Sequence, residues 1–175
     1  KEIRQYQEEG KIKDNYLEGP RDQQSFYELL KYIDEEVPDE ERFKAMKSVF
    51  LFSVSRDAKD EDKVLAYELL QICRQLNCGD LILLRAIWDI LHGRTVQNIE
   101  QPKYQGVASE WVAIISKHIG HGLPQLIERH EDNLINMKLI LRRVLPDRSG
   151  ISSSSTHHRL TLLGYKLCEY ITKYE

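Results

Sequence analysis

No stretch of this chain reaches the roughly 18 consecutive apolar residues that a membrane-spanning helix needs, and no apolar leader core stands near Lys1. The sequence therefore predicts no membrane partner. A glycine-rich phosphate loop is also missing, and with it the usual sequence sign of a nucleotide cofactor; no cofactor is expected. There is no internal repeat, and no heptad run long enough for a coiled coil. Cysteine is scarce and odd in number. Cys73, Cys78 and Cys168 sit in or beside apolar helical patterns, so they read as free thiols in a reducing compartment, which makes the expected location cytoplasmic. Charge of one sign is not in large excess either. Residues 1–62 hold 11 Lys and Arg against 17 Asp and Glu, whereas residues 63–175 hold 14 against 11. That mild polarity falls short of a nucleic-acid-binding composition.

What is present is an ordinary globular composition, 41% hydrophobic and 30% charged, long enough at 175 residues for one domain or one domain with an appendage. The first residue is Lys1 rather than Met, so a further segment upstream is to be expected. The fold class read from the pattern is mainly α, seven or eight helices with one short antiparallel hairpin near the end. Residues 1–21, polar and broken by Gly10, Gly19 and Pro20, read as an arm or linker. A helical bundle is expected over 22–93, a linker loop over 94–106, and a second subdomain over 107–175.

Within the bundle, Phe26, Leu29, Leu30 and Ile33 mark one helical face. Pro38 ends that helix, and Asp39 with Glu40 and Glu41 supplies the cap and first-turn acids of the next. A third helix carries Leu65, Leu69, Ile72 and Leu76 and breaks at Asn77-Cys78-Gly79. The fourth, 81–91, is apolar nearly all round, with Arg85 and Asp89 as an i, i+4 pair, and is the expected centre of the bundle.

The last third alone has a supersecondary signature. Segments 139–145 and 156–161 read as two strands around a polar loop with four successive serines. Thr161 is placed to cap a terminal helix bearing Leu163, Leu167, Tyr170 and Ile171. The string Arg159-Leu160-Thr161-Leu162-Leu163-Gly164 resembles the strand-to-helix corner of bacterial winged-helix proteins, where a Thr caps the last helix and a Gly allows close packing. Asn133-Leu134-Ile135 is similar to the end of a recognition helix. The likeness covers about 107–175. Residues 75–85, together with that tail, are also similar to uncharacterised prokaryotic proteins grouped with phage-resistance, abortive-infection functions, which implies a prokaryotic source and a defence role.

A DNA-binding winged helix needs cations on helix and wing, because phosphate neutralisation supplies most of the affinity. The wing offers Arg142, Arg143, Arg148, His157, His158 and Arg159, but residues 123–136 hold Arg129 against Glu128, Glu131 and Asp132. That acidic helix favours a protein-binding reading over DNA recognition. Two other constellations are candidates for chemistry. His118, His121 and His130 are the nearest approach to a zinc site, set against simple capping of a helix C-terminus. Arg85 and His92, at i and i+7, resemble the loose Arg–His spacing of small helical ribonucleases in prokaryotic toxin and defence systems. That resemblance implies phosphate binding by Arg85 and base catalysis by His92; pairing of Arg85 with Asp89 is the plainer alternative. The function expected first is thus a non-enzymatic module that binds protein partners or itself, with Trp111, Tyr170, Tyr174 and the hairpin as its surfaces. Nucleic-acid binding through the wing is the second reading, and weak ribonuclease activity the third.

Overall fold

A computed structural model describes residues 2–35, 39–94, 114–117, 119, 124–142 and 159–174. It is mainly helical. Among the described residues the named helices are α1 (Glu2–Glu8), α2 (Pro20–Glu35), α3 (Glu40–Ser53), α4 (Asp60–Gln75), α5 (Cys78–Leu91), α6 (Pro124–Asn136) and α7 (Leu162–Thr172). None of them is long and apolar enough to cross a membrane. The chain divides into two compact units, Lys1–Cys78 with Glu169–Glu175, and Gly79–Cys168.

In the first unit, α2, α3 and α4 pack on one another. α2 starts at Pro20, where a missing N–H and a preset φ suit a first helical residue. α3 starts as the sequence predicts: Asp39 is extended, and its carboxylate accepts the Arg42 N–H at 3.0 Å. Leu29, Tyr32, Met46, Phe50, Leu69 and Leu70 form the centre of this core. The polar arm predicted for 1–21 is corrected at Ile12. That residue is fully buried, and its segment pairs antiparallel with Ser55 through Arg56 N–H to Lys11 O (3.2 Å) and Lys13 N–H to Val54 O (3.4 Å). Its neighbours are so polar that the one inward residue carries no periodicity.

The predicted binding surface at Tyr170 is corrected too. Tyr170 is fully buried, stacked on Phe52 at 3.7 Å, and donates its hydroxyl to Asp62 at 3.2 Å. Tyr174 is half-buried and meets Tyr6 edge-on at 5.7 Å. A terminal helix with aromatics at i and i+4 looks the same in sequence whether it is buried or presented. Trp111 lies outside the described residues.

The second unit takes α5, which the sequence assigned to the first. Leu81, Leu83, Leu84, Ile87, Trp88 and Ile90 are buried, and the partners of Asp80 and Trp88 are His130 and Tyr165, both in this unit. The boundary thus falls at Cys78–Gly79 and Cys168–Glu169 rather than at 94–106, of which residues 95–106 are outside the described set. After α6 the chain turns through Lys138 in the left-handed region (φ 59°). Ile140 then bridges antiparallel to Leu160, with Leu141 N–H to Arg159 O at 2.7 Å and Thr161 N–H to Leu139 O at 3.0 Å. Thr161 caps α7 as expected: its Oγ1 accepts the Gly164 N–H at 3.0 Å and donates to Lys138 O at 2.7 Å. At Gly164 the helix passes so close to the Leu139 carbonyl that a methyl group would overlap its oxygen.

All three cysteines are free thiols. Burial pushes Cys73 up to about 12. Cys78 is half-buried and raised by burial and by the charges of Asp39 and Glu41. Because the thiolate is the nucleophile, we expect a disulfide reagent at pH near 8 to modify Cys78 alone in the native protein, with a rate still climbing above pH 9. Cys73 and Cys168, buried, react only on unfolding. Three equivalent thiols in the native state would contradict this.

Candidate functional site

Arg85 lies exposed on α5 and His92 lies exposed one residue past its end, with the buried Trp88 between them in sequence. The His92 ring packs on Trp88 at 4.0 Å and lies 6.3 Å from Tyr165. Its Nδ1 is 2.9 Å from the Trp88 carbonyl oxygen, which can only accept, so Nδ1 is the donor of that bond. His92 is thereby part of a tilted aromatic cluster at a helix C-terminus, and Arg85 and Asp89 are each engaged in interactions of their own.

The basic wing loses one of its members. Arg159 is 2% exposed, and each nitrogen of its guanidinium donates a bond: Nε and Nη2 to the Leu141 carbonyl at 3.1 and 2.7 Å, and Nη1 to the Glu131 carboxylate. As a phosphate contact Arg159 is therefore corrected; it is a core cation. Sequence reasoning counted Glu131 against DNA binding and Arg159 for it, whereas the fold pairs them. Arg142 is exposed. Arg143, Arg148, His157 and His158 lie outside the described residues.

Of the histidine trio, His118 and His121 lie outside the described residues. His130 Nδ1 is 2.8 Å from the fully buried carboxylate of Asp80, whose other oxygen accepts the Asn133 side-chain N–H at 2.5 Å. The ring covers Gly79, where a methyl group would collide with it. This network ties α6 to the first turn of α5 through the Nδ1 nitrogen of His130. Among the described residues, no group of three His, Cys, Asp or Glu could hold a metal ion.

The surface that sequence reasoning missed is on α2. That helix buries Asp22, Ser25, Leu29 and Tyr32, spaced for one seam. Tyr32 is fixed further by its hydroxyl, which accepts the Asp39 N–H at 2.9 Å. Two cross-links hold the seam onto α4, Lys63 to Asp22 at 2.7 Å and Arg74 to Glu28 at 3.4 Å. The rotation so fixed leaves Tyr27, Leu30 and Ile33 outside, at 62%, 46% and 42% exposure. Leu30 and Ile33 were assigned to the buried face, and that assignment is corrected. They line a shallow groove of about 460 Å³ with Lys31 and Asp34. The signal was available: six of the eight residues 26–33 are apolar, an arc wider than one helical seam can bury.

No protein-family model, curated protein or solved structure matches this chain.

Proposed function

We propose that this chain is a non-enzymatic, cytoplasmic interaction module that pairs with a second copy of itself through α2. The observation that carries the reading is the row of Tyr27, Leu30 and Ile33, exposed on a helix whose other face is locked into the bundle. Isolated exposed apolar residues are ordinary, but three at successive i+3 positions form a contiguous apolar surface. Its symmetry favours a second copy. A two-fold axis must set each residue against its counterpart in reverse order, and a stripe centred on Leu30 puts Tyr27 opposite Ile33 in both directions. Lys31 and Asp34 give the edge both signs of charge, so two copies do not meet like against like.

The Ile140–Leu160 pairing, the Thr161 cap and the close packing at Gly164 support a winged-helix-like reading of the tail. With Arg159 buried, nucleic-acid binding draws no support from it. The packing of the His92 ring on Trp88, with Nδ1 held by the Trp88 carbonyl, favours a structural role over base chemistry.

Sedimentation equilibrium tests the proposal. Burying each of these side chains contributes up to roughly 1.5–3 kcal/mol, so Leu30→Glu with Ile33→Glu should shift the dimer to monomer while leaving the helical circular dichroism unchanged. The exposed Lys44→Glu, on α3, should leave association as it is. A wild-type chain that stays monomeric up to about millimolar concentration would rule the reading out.

A further inference from the structure

A second surface of the first unit has a different chemistry. The antiparallel pairing of Ile12 with Ser55 alternates its side chains. Ile12 and Ser55 point inward and are buried, while Lys11 and Arg56 stand opposite each other on the outer face. Two cations directly opposite across a pair of strands repel, and nothing in the backbone pairing requires them. The arrangement is held firmly. Gly10, in the left-handed region (φ 70°), turns the chain out of α1, with Lys11 N–H bonded to Tyr6 O at 2.8 Å, and the Arg56 guanidinium lies against Gly10. Lys173, from the end of α7, brings a third cation, its Nζ 4.5 Å from the Phe52 ring centre.

Together with Tyr6, Ser55, Asp57 and Tyr174 these groups line a cleft of about 440 Å³. The charges near it are not all positive. Lys11 is bound to Glu9 at 2.7 Å, and Asp57 stands at the wall. Among the described residues, however, Arg56 and Lys173 form no ion pair, so the cleft keeps two cations for an incoming anion. The tyrosines add a neutral polar wall. Burial, the largest effect on it, raises the Tyr174 phenol, which stays protonated and able to donate a hydrogen bond at neutral pH. The Tyr6 and Tyr174 rings meet edge to face, their centres 5.7 Å apart.

We infer that this cleft is a binding site for a phosphomonoester of mononucleotide size, with Arg56 and Lys173 holding the phosphate and Tyr6 and Tyr174 forming the wall beside the rest of the molecule. Guanidinium geometry suits bidentate phosphate oxygens, an ammonium adds a point charge, and the volume falls within the range of small-ligand sites. The inference stands apart from self-association, because it uses none of the α2 residues.

Titration calorimetry on the full chain at low ionic strength, with inorganic phosphate, ribose 5-phosphate, AMP and adenosine as probes, tests it. The phosphate-bearing probes should bind saturably and adenosine should not. AMP binding tighter than ribose 5-phosphate identifies the nucleotide as the source of the phosphate, and equal binding identifies a sugar phosphate; both support the site. Arg56→Glu should weaken binding at least tenfold, and Lys173→Gln several-fold, with the thermal midpoint unchanged. Lys44→Glu makes the same change in net charge as Arg56→Glu at an exposed position on α3 and should leave binding intact. Absence of saturable binding by all three phosphate-bearing probes overturns the inference. So does an equal loss in Lys44→Glu and Arg56→Glu, which would mean general charge attraction rather than a site.

Discussion

Arg159→Ala should lower the folding stability by about 3–5 kcal/mol, the range for removing one partner of a buried ion pair. The size follows from what remains behind. Glu131 is 2% exposed, and without the guanidinium its carboxylate is a buried charge facing an empty volume. The Leu141 carbonyl loses two donors at the same time, next to the Ile140–Leu160 bridge. Glu131→Ala should be comparably harmful for the mirror-image reason. The double replacement Arg159→Met with Glu131→Leu should recover most of the loss, because neither charge then remains to be compensated. Urea unfolding of the four proteins checks these outcomes. An Arg159→Ala midpoint within error of wild type would mean that the pair is solvated, and would restore Arg159 to the list of surface cations.

Gly164→Ala should be harmful by about 2–4 kcal/mol, from overpacking together with a lost hydrogen bond. The sign makes the experiment informative. Exchanging glycine for alanine inside a helix ordinarily stabilises by roughly 0.5–1 kcal/mol. Here the added methyl meets the Leu139 carbonyl oxygen, which accepts from the Thr161 amide at 3.0 Å. The carbonyl can retreat only by giving up that bond, and with it the register that starts α7. A thermal midpoint several degrees below wild type is expected; one above it would show that the corner has slack.

Those two positions also show what was legible in the chain. The Thr161 cap, the Asp39 cap and the helical spacing of α2 through α5 could be read because each is a local rule acting over three or four residues. Partnerships made across the chain could not be read. Arg159 and Glu131 are 28 residues apart, and Asp80 and His130 are 50 apart. A charged side chain has no periodicity that tells burial with a partner from exposure to water. The rotation of α2 failed for a related reason: with apolar residues on two adjoining faces, the choice between them was made by Lys63 and Arg74 on another helix. The unit boundary was misplaced because the longest glycine- and proline-bearing loop is a reasonable place to divide a chain, and here α5 finds its polar and aromatic partners downstream of it.

The seven residues from Glu169 onward belong to the unit formed by residues 1–78, which gives the burial of Tyr170 a consequence in time. During synthesis the first unit emerges with α2, α3 and α4 complete, but Phe52 has no ring to stack on and Asp62 lacks its phenol until the ribosome has added 108 more residues after Asp62. Everything from Gly79 to Cys168 has been polymerised by then, so the inserted unit has the opportunity to fold before the unit that surrounds it in sequence can close. Completion of the first unit therefore reports that the second has been made.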